Sequence, residues 1–167
     1  MRKKPSLPRL PRVDSTFSVV YDDLADVNFD DLGYVLTCHL IIESHITEII
    51  QQKSIGIDWS ETRLSFAQKL SMLKSSLQNE TYDFFTPLKA LNNIRNKISH
   101  DVKYRIADHD LEPFRSIVTK SEKQRNKLRS NRETFEAFLV VFCAWAAGYL
   151  NGWISLLGQL REQSESD

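Results

Sequence analysis

The sequence predicts an all-α fold: a bundle of about four to five helices, paired with a second copy about a two-fold axis. Glycine and proline are scarce, at five each in 167 residues. Apolar side chains recur at three- and four-residue steps along most of the chain, the period of a helix with one buried face. The length suits one domain with a real core and is short for two. Residues 1–30 read as an arm, basic and then acidic, 31–160 as the bundle, and 161–167 as a polar tail.

The elements follow in order. Thr16 to Tyr21 has extended character but no obvious partner strand. Asp31 is placed to cap a first helix over Leu32 to Lys53, burying Leu36, Leu40, Ile46, Ile49 and Ile50. Ser54 to Asp58, with Gly56, reads as the turn that ends it. Asp58 and Glu61 form a capping-box pattern for a second helix, in which Phe66, Leu70, Leu73 and Leu77 recur. A third helix starts near Phe84, tolerates Pro87 in its first turn, and buries Leu88, Leu91, Ile94 or Arg95, and Ile98. Asp108 or Asp110 opens a short helix through Leu111, Phe114 and Val118. A long last helix runs from Ser121 or later to Leu160, basic at first and apolar afterwards.

The 22 basic and 22 acidic side chains balance, so net charge advertises no polyanion partner. Their distribution says more. Met1 to Arg12 has Arg2, Lys3, Lys4, Arg9 and Arg12 with no acid, and Val13 to Tyr34 has six aspartates with no base. From Arg95 to Arg132 there are eleven bases against five acids. That excess suits a phosphate-rich ligand, and it equally suits a solvated helix face. The basic run Lys120, Lys123, Arg125, Lys127, Arg129 and Arg132 carries the same two readings.

Cys38 and Cys143 lie in apolar helical runs and read as buried free thiols in a reducing, cytoplasmic setting; no zinc spacing exists. Pro8 and Pro11 interrupt the first apolar residues, so no signal-peptide core is expected and the first dozen residues read as a loose arm. Ala137 to Leu157 is as apolar as a membrane span. Trp145 and Tyr149 lie mid-segment and Asn151 needs a partner, so a helix buried in a bundle or dimer is the favoured reading. Ala144, Gly148 and Gly152, four apart, mark a face where another helix, a partner subunit included, packs closely.

The chemistry concentrates in Asn92-Asn93-Ile94-Arg95-Asn96-Lys97-Ile98-Ser99-His100-Asp101. On a helix, Asn92, Arg95, Asn96 and Ser99 form one polar strip, with Asn96 and His100 one turn apart. The strip borders the buried line, so it calls for water, a ligand or a matching surface. An arginine is a permanent cation with planar donors, and histidine gives and takes protons near neutral pH. Those are two requirements of phosphodiester cleavage without a metal. Two such helices facing each other across an axis would gather two copies of Arg95 and His100 in one cleft. One imidazole would then draw the proton from a ribose 2′-hydroxyl while the other protonates the departing 5′-oxygen, making RNA the substrate. No cofactor is called for, and no convincing cluster of acids offers a metal site.

Arg95-Asn96-Lys97-Ile98-Ser99-His100 resembles the motif of the HEPN superfamily of small helical-bundle proteins: an arginine, a polar residue that is often asparagine, then a histidine after a gap of four to six residues. The resemblance implies a dimer with the motif at the subunit interface. It also implies a metal-independent endoribonuclease of toxin–antitoxin, phage-defence or RNA-processing type. Arg95 and His100 match the catalytic pair and Asn96 the supporting polar residue. A neutralising antitoxin or a sensor protein is an implied partner. The layout is also similar to the mannitol-repressor-like branch. There a helix bearing Phe66, Lys69 and Leu70 precedes the motif helix, and an acidic-start segment (Asp108-His109-Asp110-Leu111-Glu112-Pro113-Phe114) follows it. That likeness covers about Leu32 to Val118 and rests on pattern more than identities.

Other roles stand beside these. Arg95 fits a structural salt bridge to Asp101 or to an acid on the first helix, and His100 fits the C-terminal end of its helix, where the dipole favours a cation. Lys97, Lys103, Tyr104 and Arg105 are secondary candidates for touching RNA. His39, His45 and Glu43 read as surface or interface residues, with Glu43 able to face Arg95, and His109 reads as solvated in an acidic turn. Some members of the group this motif resembles are scaffolds or regulators, so a non-catalytic regulatory or interaction module is the alternative function. No helix-turn-helix spacing supports DNA reading, and a membrane-attached protein is the third, disfavoured possibility.

Overall fold

A computed structural model of the chain describes residues 9–22, 24, 27–54, 59, 62–78, 81–121 and 130–164. Among the described residues a short hairpin of β1 (Leu10–Val13) and β2 (Val19–Asp22) precedes six helices. These are α1 (Phe29–Lys53), α2 (Phe66–Met72), α3 (Lys74–Leu77), α4 (Phe85–His100), α5 (Asp108–Ser121) and α6 (Asn131–Ser164). The all-α expectation holds. α1 packs on α4 and α6, and α5 also packs on α4 and α6, so four helices close a ring in which α4 and α6 are diagonal. α2 lies against α1 and α4.

Aromatic residues fill the centre. Phe84, Phe114, Phe135, Phe138 and Phe142 are all fully buried. Phe114 meets Phe135 and Phe138 at 5.0 Å between ring centroids, and Phe84 meets Trp145 at 5.0 Å. Val35, Ile42, Ile46 and Ile49 of α1 complete the core.

The helix starts differ from expectation for local reasons. α1 is capped by Asn28, whose side chain accepts the Asp31 N–H at 3.1 Å. Asp30 and Asp31 therefore fall in the first turn, where the dipole favours acids. Leu36 and Leu40 are exposed rather than buried, the latter by 66%. The capping box of α2 is Ser65 with Gln68, whose side chain accepts the Ser65 N–H at 2.8 Å. Asp58 and Glu61, the expected pair, lie outside the described residues. α6 opens on Ser130 and Glu133, which cap each other's N–H groups at 3.0 and 3.1 Å. Lys123, Arg125, Lys127 and Arg129 lie outside the described residues.

The hairpin supplies the partner strand that the sequence did not show for Thr16 to Tyr21. Leu10 to Val13 pairs antiparallel with Val19 to Asp22. Asp14 holds the turn, its Oδ1 accepting the N–H of Thr16 at 2.8 Å and of Ser18 at 3.1 Å. Phe17 adopts a left-handed φ of 59° there. Pro11 is tolerated because both strands are edges.

α6 buries one side, through Phe135, Phe138, Phe142 and Ala146. By length and composition Asn131–Gln159 would suffice to cross a membrane, and 17% of its most apolar stretch is buried. Its aromatic residues nevertheless have protein partners. Tyr149 donates to Ser76 Oγ at 3.1 Å and Trp153 Nε1 to the Gln52 carbonyl at 2.9 Å. The small-residue face points away from the bundle: a Cβ added to Gly148 or Gly152 would meet nothing within 4 Å. Cys38 is buried and Cys143 half-buried, both as free thiols. Burial pushes Cys38 up to about 11.

Candidate functional site

α4 is the element that presents the motif. Asp83 starts it, accepting the Thr86 hydroxyl at 2.6 Å and the Thr86 N–H at 3.3 Å. Burial works against the Asp83 carboxylate, but hydrogen bonds from Thr86 and Gln78 prevail and hold it below the usual range. Pro87 takes a first-turn position, where its missing N–H has no partner to lose. Leu88, Leu91, Ile94 and Ile98 turn inward. Ile94, not Arg95, therefore fills the place that the periodicity left open. Arg95, Lys97, Ser99 and His100 are left exposed, with Asn92 and Asn96 half-buried.

Arg95 Nη1 donates to Asn96 Oδ1 at 3.0 Å. Among the described residues Arg95 forms no ion pair, so the structural salt bridge considered for it is not made there. Ser99 donates its hydroxyl back to the Arg95 carbonyl at 2.9 Å. Asn96 also lines an open groove between α4 and α5, with a volume of about 440 Å³, together with Lys97, His100, His109 and Asp110. Asn96 is thus bonded to the guanidinium and shares the groove with His100. His100 sits in the last turn of α4, where the dipole favours a cation.

The far wall of the groove is fastened to α4 by a buried carboxylate. Lys97 Nζ lies 3.1 Å from Asp110 Oδ1 and 3.0 Å from the Tyr104 hydroxyl. The Tyr104 hydroxyl donates to Asp110 Oδ2, and the Ala107 N–H does so at 3.0 Å. Burial opposes the Asp110 charge, but the hydrogen bonds from Tyr104, Ala107 and Lys97 outweigh it and hold the carboxyl below its usual range. Lys97 and Tyr104 are therefore engaged with Asp110. Lys103 lies in the connection after α4, its N–H donating to Asp101 Oδ1 at 2.9 Å. Arg105 lines a separate hollow with Asn28, Asp31 and Asn131. His109, read from the sequence as a solvated turn residue, is exposed in the first turn of α5 but faces the groove. No spacing in the sequence marks it, because the groove forms only where Asp110 packs against Lys97 and Tyr104.

On the other flank α1 contributes His39, Glu43 and Thr47, and α2 contributes Lys69. Lys69 Nζ lies 2.8 Å from Glu43 Oε1 and 3.0 Å from Thr47 Oγ1, and His39 Nδ1 lies 3.7 Å from Glu43 Oε2. His39 is only 5% exposed, which corrects the surface role expected of it, and its ring packs on Phe66 at 4.2 Å. Its Nε2 has no partner in hydrogen-bond geometry among the described residues. Burial pushes the His39 pKa down, against Glu43 and Asn92, while Arg95 and Lys69 reinforce the fall.

The folded pKa of His39 is thus below its unfolded value of about 6.5. Above that pH both states leave the ring neutral. Below it the unfolded chain binds a proton that the folded chain refuses, so stability falls on acidification through this window. The thermal midpoint of the wild type is expected to drop between about pH 7 and pH 5, and that of His39→Leu to drop less. Parallel pH profiles for the two proteins would show that His39 carries no such linkage.

Among the described residues no three or more His, Cys, Asp or Glu side chains gather as a metal-binding group. No family model, curated protein or solved structure matches the chain.

Proposed function

We propose that this protein is a metal-independent endoribonuclease of the HEPN type, cutting RNA by attack of the ribose 2′-hydroxyl. One observation carries the proposal. Arg95, without an acidic partner among the described residues, is bonded to Asn96, and Asn96 lines an open groove with His100. In that role Arg95 binds the scissile phosphate through its planar donors and stabilises the charge that grows on its oxygens. Asn96 fixes the guanidinium, and His100 takes or gives a proton. The nucleophile restricts the substrate to RNA.

Pairing about a two-fold axis along α4 would bring a second Arg95 and His100 to a composite cleft. An enzyme of this kind needs restraint by a neutralising antitoxin or by a sensor protein. A second reading, a non-catalytic regulatory or interaction module, is favoured by the extent of exposed apolar surface, with Leu40 at 66% and Val140 at 70%.

Purified protein incubated with total RNA in EDTA separates the two. The ribonuclease is expected to shorten the RNA and leave 2′,3′-cyclic phosphate and 5′-hydroxyl ends. Intact RNA, with specific retention of a partner protein, would support the interaction module instead.

A further inference from the structure

We infer that His109 is the second proton-transfer group of the cleavage, the general acid that complements His100 within a single protomer. The inference rests on the ribonuclease assignment of Arg95, Asn96 and His100, and adds a residue to it that lies outside the motif.

His100 comes from the last turn of α4 and His109 from the first turn of α5. Both line the same open groove, whose volume is about 440 Å³. The same groove is lined by Asn96, which is bonded to Arg95, and by Lys97, which is paired with Asp110. His109 Nε2 stands 3.7 Å from Asp110 Oδ1, so an imidazolium there has a carboxylate counter-ion. The same carboxylate, through Lys97, Tyr104 and the Ala107 N–H, ties the start of α5 to α4. The backbone that carries His109 is therefore fixed relative to the one that carries His100. The His109 side chain is 80% exposed, as a group must be if it meets a macromolecular substrate.

In the step so defined, a ring nitrogen of His100 takes the proton of the 2′-hydroxyl, and the 2′-oxygen forms a bond to phosphorus. The bond from phosphorus to the 5′-oxygen breaks, and that oxygen leaves with the electron pair and takes a proton from His109. The products are a 2′,3′-cyclic phosphate and a 5′-hydroxyl. His100 then returns its proton to solvent and His109 regains one. The second imidazole is already present in each protomer's groove and need not come from the partner copy.

The test compares two substrates, RNA and uridine 3′-(4-nitrophenyl phosphate), whose nitrophenolate departs without being protonated. His109→Ala is expected to lower kcat on RNA by about 10²-fold or more, with KM unchanged, and to remove the alkaline fall of the pH–rate profile. On the nitrophenyl ester the same variant should run close to the wild-type rate, while His100→Ala fails on both substrates. RNA cleavage by His109→Ala at the wild-type rate would overturn the inference and leave the ribonuclease assignment standing. An equal loss on both substrates would overturn the acid role. A wild-type protein that cuts neither substrate would overturn the ribonuclease assignment itself.

Discussion

His100→Ala is expected to lower RNA cleavage by about 10²–10⁴-fold, the range for deleting a positioned acid or base. The fold should survive the change. The His100 ring is exposed and makes no hydrogen bond or ion pair among the described residues. Truncating it therefore removes no bond that holds α4 in place. Activity and stability should therefore part company, with cleavage lost and the thermal midpoint nearly unchanged. Arg95→Lys makes a useful companion. It keeps the charge but loses the planar fork that Asn96 now accepts from, so a matching fall in kcat would mark the guanidinium geometry as the requirement. Undiminished cleavage by His100→Ala would reject the catalytic assignment outright.

What the sequence made legible and what it hid divide along physical lines. The buried face of α4 was readable because Leu88, Leu91 and Ile98 repeat at helical steps. The choice between Ile94 and Arg95 was open because three- and four-residue steps both continue the line. The packing of α1 and α5 against α4 decides for Ile94, which is 1% exposed. The β1–β2 hairpin was invisible for the opposite reason. Val13, Val19 and Tyr21 are each about 60% exposed, so no alternation of burial was imprinted on them. The groove could not be read at all, since it exists only once Asp110 draws α5 against Lys97 and Tyr104. A residue such as His109 becomes interesting only after that docking. The small-residue run on α6 was legible as a pattern, but its orientation was not. Gly148 and Gly152 face away from the bundle, with nothing within 4 Å of an added Cβ.

Phe84→Ala should be the most destabilising single change near the site, at about 3–5 kcal/mol. Phe84 is fully buried immediately before α4, within 5.0 Å of Trp145, 5.7 Å of Phe142 and 6.3 Å of Phe138 between ring centroids. It is the plug by which the start of the motif helix reaches across the ring to the diagonal helix α6. Truncation leaves a cavity that rigid aromatic neighbours cannot collapse to fill, and each aromatic contact adds about 0.5–1.5 kcal/mol beyond the buried area. For a chain of this size about 1 kcal/mol corresponds to a shift of ~2–4 °C, so a fall of roughly 10 °C in the thermal midpoint is expected. Leu40→Ala, on the exposed face of α1, provides the contrast and should stay within about 0.5 kcal/mol of the wild type. Equal and small effects of the two changes would mean that α4 is not anchored through Phe84. Because Arg95, Asn96 and His100 all ride on α4, a loosened start should also blunt the cleavage proposed for them below the unfolding temperature. His100→Ala would instead remove cleavage from a helix that remains firmly seated.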